Sequence, residues 1–114
     1  LEAGVSLGFS TDAPATYWSD PSDPFPGLKF AVTRTAADGT DCGKEQAVDI
    51  ETAIRLYTIG SARAAGFPDT GMLAPGYHAD FAVLSDDILN IPSEDIDKVK
   101  VIRTYTDGRC VYKR

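Results

Sequence analysis

Gly71-Met72-Leu73-Ala74-Pro75-Gly76-Tyr77-His78-Ala79-Asp80-Phe81-Ala82-Val83-Leu84 is where the texture of the chain changes. Its first part, Gly71 to Gly76, reads as a short strand and turn. Its second, Ala79 to Leu84, reads as a largely buried strand, a short apolar run bounded by turn residues. Downstream, Pro92 to Lys98 reads as a polar connection. Val99 to Tyr105 alternates apolar and charged positions, as a half-solvated strand does. Asp107-Gly108 is a strong hairpin signal, because both central positions of a tight hairpin turn need a left-handed backbone. Cys110-Val111-Tyr112 then returns antiparallel.

Upstream the pattern is different. Asp49 is suited to cap a helix, since its carboxylate accepts from free first-turn amides. Glu51 favours the positive end of the helix dipole. Ile50, Ala53, Ile54 and Tyr57 share one face with Arg55 opposite, and Gly60 is expected to interrupt the helix. A second short helix, Ser61 to Ala65, is expected to end at Gly66. Leu28, Ala31 and Val32 predict another helix within Gly27 to Thr35, and Ala36 to Gly43 reads as a turn-rich loop. Ala13 to Gly27 holds Pro14, Pro21, Pro24 and Pro26 and reads as a loop. Gly4 to Asp12 reads as a short buried strand with a polar tip.

The chain of 114 residues carries a net charge of -6 and is 43% hydrophobic. That is ordinary for a soluble globular protein. The acidic balance disfavours nucleic acid and anionic membrane as partners. No apolar run nears the roughly 20 residues of a membrane span, and no signal-peptide pattern opens the chain. A first residue of Leu1 suits a fragment or a processed chain. Cys42 and Cys110 lack metal or framework spacing and read as free thiols, as in a reducing cytoplasm.

Asp12 stands at the C-terminal end of its expected strand, where catalytic side chains project in parallel α/β folds. A turn aspartate in Asp-Ala-Pro reads the sequence equally well. His78, the one histidine, reads as a surface turn residue, since a metal site needs three or four ligands. Tyr17, Trp18 and Phe25 read equally as a pocket lining or as anchors of the loop. Arg34 and Asp86-Asp87 read as solvated surface. Ser10, Ser61 and Cys42 have no convincing base partner.

Several of these segments together resemble one family. Ser10-Thr11-Asp12-Ala13-Pro14 is similar to the last barrel-strand motif of the amidohydrolase superfamily. Glu51 to Thr58 with Ser61 to Gly66 resembles the helix pair after that strand. Gly71 to Leu84 resembles the run of the small β-sandwich beside the barrel, and Thr104 to Tyr112 its closing hairpin. The proline-rich loop and the Leu56-Tyr57-Thr58 helix are most similar to the branch acting on N-substituted amides and formamides. The resemblance implies an α+β fragment: the last strand and following helices of a (β/α)8 barrel in residues 1–69, and C-terminal sandwich strands in residues 70–114. A barrel of that kind takes about 250 residues, so the expected whole is larger than this chain.

The resemblance also implies a hydrolase of non-peptide C–N bonds in small amide-type molecules, and the free-thiol reading of Cys42 and Cys110 makes its expected location cytoplasmic. It would use a divalent metal, zinc foremost, to activate water. Asp12 would contact the metal and its water, acting as general base and then as proton donor. The family's His-x-His, its bridging lysine or glutamate and its two further histidines have no counterpart in this chain. No bound catalytic metal and no activity are therefore expected of the fragment alone, and its exposed strand edges favour a homo-oligomer. The rival reading is a stand-alone binding or interaction module that keeps the fold remnant without the chemistry. A small hydrolase built around Asp12 and His78 is a third.

Overall fold

The computed structural model describes residues 4–12 and 22–114. Helix α1 spans Phe25–Thr33, two residues earlier at each end than the spacing predicts. Proline is tolerated in a first turn, where its missing N–H has no helical partner in any case. Pro24 and Pro26 therefore open α1 instead of prolonging the loop. Asp23 helps, its carboxylate accepting from the Phe25 amide at 3.0 Å. Arg34 ends the helix in a left-handed conformation, φ 50°.

A turn of 3-10 helix, Lys44–Gln46, leads to α2, Ile50–Arg55. Asp49 caps α2 as expected, accepting from the Thr52 amide at 2.6 Å. Gly60 does not interrupt the helical path. The backbone widens into a π-helical turn over Leu56–Gly60 and continues as α3, Ser61–Ala64. Gly66 takes the left-handed conformation expected after the helix end, φ 78°.

The C-terminal sheet has three antiparallel strands in the order β1-β2-β3: Phe81–Leu84, Val101–Thr106 and Arg109–Lys113. The Asp107-Gly108 turn joins β2 to β3, both residues left-handed at φ 49° and 75°. Phe81 pairs with Tyr105 and their rings stack at 4.5 Å. The Gly71 to Gly76 strand is not formed. Gly71 and Gly76 are left-handed, at φ 88° and 89°, which no extended strand accommodates. β1 is also less buried than its apolar sequence suggests: Ala82 and Val83, on opposite faces of the strand, are both exposed among the described residues.

The core gathers Phe25, Leu28 and Ala31 of α1, Ala53 of α2, and Ile88, Ile96 and Val99 from the stretch before β2. Ile96 and Val99 are each 1% exposed. The polar connection is therefore a 3-10 helix, Ser93–Lys98, that points one isoleucine inward. Lys29 of α1 bonds Asp97 of that helix at 2.9 Å.

The expected buried strand at Gly4 to Asp12 is corrected. Among the described residues these pair with no strand and are largely exposed. A strand needs neighbours to accept and donate along its edges, and here both main-chain groups of Phe9 are taken by the helix instead.

Candidate functional site

The segment ending in Asp12 lies across the π-helical turn at close range. A Cβ on Gly60 would sit 2.6 Å from the Leu7 carbonyl oxygen, and one on Gly8 2.8 Å from Ser61 Cα. Only two glycines permit this approach. It brings the Phe9 amide to the Leu56 carbonyl at 3.0 Å. The Ser61 hydroxyl lies within bonding reach of two carbonyls, that of Phe9 and, at 2.9 Å, that of Leu56. The Phe9 ring meets Tyr57 edge-on with centroids 6.3 Å apart. Burial pushes the Tyr57 hydroxyl's pKa up; a hydrogen bond with Thr11 opposes that rise, and the Asp23 charge adds to it. Tyr57 thus packs against the segment that ends in Asp12.

Asp12 itself is exposed and left-handed, φ 56°, and its amide donates to Ser10 Oγ at 3.1 Å. Left-handed backbone is uncommon outside glycine, and aspartate is among the residues that tolerate it best. Such outliers cluster at functional sites. The motif therefore has turn geometry with a carboxylate at its tip.

The other candidates from the sequence do not join it. His78 is exposed and pairs with Asp107 beside the β2–β3 turn, Nδ1 to Oδ1 3.4 Å. Its neighbours act structurally: Asp80 accepts from the Asp107 amide at 2.7 Å, and Ala79 O from the Gly108 amide at 3.0 Å. Cys42 and Cys110 are free. Phe25 is core, whereas Tyr17 and Trp18 lie outside the described residues. Asp87 is exposed and accepts from the Leu89 amide.

Arg34 is not simple solvated surface. Its guanidinium stacks on Phe30, 4.8 Å from the ring centroid, and donates to the Cys42 carbonyl at 2.8 Å. A cavity of about 380 Å³ beside it is lined by Phe9, Ser10, Phe30, Gln46 and Tyr57 among others. In the sequence Tyr57 reads as a helix residue and Ser61 as a helix residue or an unpartnered nucleophile, because their contacts with the Asp12 segment come from about 50 positions away in the chain.

A divalent metal needs several donors at one point. Among the described residues no three of His, Cys, Asp and Glu converge. Asp12 supplies one carboxylate, so the residues present do not by themselves fit a catalytic metal. No described helix is long and apolar enough to cross a membrane.

The chain is 31% identical over its full length to the N-substituted formamide deformylase of Arthrobacter pascens. It is 30% identical, again over its full length, to the Bacillus subtilis protein YtcJ. It is 33% identical over 74% of its length to a 5-methylthioadenosine/S-adenosylhomocysteine deaminase of Bacillus cereus. The chain spans about a fifth of each of these relatives, between 18% and 22%. No solved structure matches it. The profile of the amidohydrolase family matches residues 1–112, from the Asp12 segment through the closing hairpin, and the chain belongs to that family.

Proposed function

We propose that this chain is the C-terminal portion of a metal-dependent hydrolase that cleaves non-peptide C–N bonds in small amide-type molecules. Family membership across almost the whole chain carries this reading. The full-length similarity to a formamide deformylase supports an N-substituted amide or formamide as substrate class. Residues 1–69 would belong to the barrel and residues 70–114 to the accompanying β-sandwich. The remaining metal ligands would come from outside this chain, and the fragment alone would be inactive.

Within the complete enzyme Asp12 is the catalytic residue of this segment and a contact of the metal. Its carboxylate accepts a proton from the attacking water and returns it to the departing amine nitrogen, so the proton count closes over one turnover. Its exposed position, free of any carboxylate–cation pair among the described residues, leaves the oxygens available for both transfers.

The test is Asp12→Asn in the complete enzyme, which keeps the shape and removes the proton acceptor. Turnover of an N-alkylformamide is expected to fall at least ~100-fold, in the range such proton transfers contribute, with unchanged circular dichroism. Near-wild-type turnover would remove Asp12 from the mechanism.

A further inference from the structure

Asp12 projects from a segment with few ties to the rest of the molecule. Among the described residues, the main-chain bonds that hold residues 4–12 to the body of the protein converge on Phe9. Phe9 N–H donates to Leu56 O, and Phe9 O accepts from Ser61 Oγ. The arrangement depends on the π-helical turn. A π turn shifts each amide's partner one residue further back, so the Ser61 amide reaches Leu56 O. The same displacement puts the Ser61 side chain against the crossing segment, where Gly8 and Gly60 leave no intervening Cβ.

We propose that Ser61 is a positioning residue for Asp12. Its one hydroxyl proton is shared between the carbonyls of Phe9 and Leu56. That sharing fixes the segment to the helix three residues before the carboxylate, at most ~10 Å of extended chain. Asp12 makes no side-chain bond of its own among the described residues, so its placement is inherited from that anchor and from the Phe9–Tyr57 ring contact. Proton transfer tolerates little displacement: an error of about 1 Å costs on the order of 100-fold in rate. The proposal rests on Asp12 being the proton-transferring carboxylate of the complete enzyme.

The experiment uses the complete enzyme with N-butylformamide as probe, comparing wild type, Ser61→Ala, Ser61→Thr, Asp12→Asn and the double variant Asp12→Asn/Ser61→Ala. Ser61→Ala is expected to lower kcat by ~10- to 100-fold while KM stays within about threefold, and Ser61→Thr, which keeps the hydroxyl, to recover most of the loss. If Ser61 acts through Asp12, removing it costs nothing further once Asp12 is gone, since coupled residues are not additive. A Ser61→Ala kcat close to wild type, or an equal loss in both backgrounds, overturns the proposal. Should Asp12→Asn itself be near wild type, the catalytic reading falls and this one with it. An enzyme inert towards the formamide is judged by hydrogen exchange of the Phe9 amide. Exchange at least ~10-fold faster in Ser61→Ala supports the anchor, and an unchanged rate overturns it.

Discussion

An alanine in a helix interior is ordinarily favoured over glycine by about 1 kcal/mol. Gly60 has helical dihedrals, φ -62° and ψ -50°, so that gain is open to it. The Leu7 carbonyl oxygen, 2.6 Å from the added Cβ, decides otherwise, because overpacking against backbone costs about 1–3 kcal/mol. Gly60→Ala is expected to destabilise the chain by a net ~1–2 kcal/mol in urea unfolding. Gly108→Ala is expected to cost ~1–2 kcal/mol by a different route. There the nearest atom to an added Cβ is 4.0 Å away, and the φ of 75° is what alanine resists. The second cost is legible in the sequence, because Asp-Gly encodes its own turn. The first is not: Gly60 reads as a helix break because its constraint comes from Leu7, distant in the chain.

At the scale of elements, two carboxylates tie helices down. The Thr52 amide holds the Asp49 carboxyl below its ordinary value of 3.8. Lys29 does the same for Asp97, joining α1 to the 3-10 helix. Folded values below unfolded ones mean stability present above about pH 4 and lost as pH falls through the lowered values. The thermal midpoint should therefore drop progressively below about pH 4, and the slope of that drop should be shallower in Asp49→Ala and Asp97→Ala. Equal slopes in all three proteins would show that these carboxylates carry no acid dependence. The Asp49 cap and the β2–β3 hairpin are readable in the sequence because each is local. The start of α1 falls two residues before its expected place because Pro24 and Pro26 serve a first turn as well as a loop. Ile96 is hidden inside a polar run because one inward side chain has no periodicity to reveal it.

For the whole molecule, the question is what covers the apolar surface. Leu73 is 68% exposed, Val111 62% and Phe67 60%. Among the described residues β1 and β3 each leave one edge unpaired, and every residue of β3 is exposed. We expect the isolated chain to self-associate through these edges, its sedimentation coefficient rising with concentration and Val111→Lys weakening the effect. A monomer at all concentrations would show the edges to be protected. The fold is legible in the sequence as helices followed by a hairpin sheet. The candidate site is legible in the sequence as Asp12, through its motif. Tyr57 and Ser61 become visible beside it only when the helix crosses the segment.

That crossing also orders events in time. The bond between Ser61 and Phe9 joins residues 52 positions apart. Helical turns form within about a microsecond, whereas closing a long loop carries an entropic cost that grows with its length. The helix must exist before it can hold the segment. The placement of Asp12 is therefore among the later steps of folding, and a nascent chain arrested before residue 61 would have the aspartate but not its anchor.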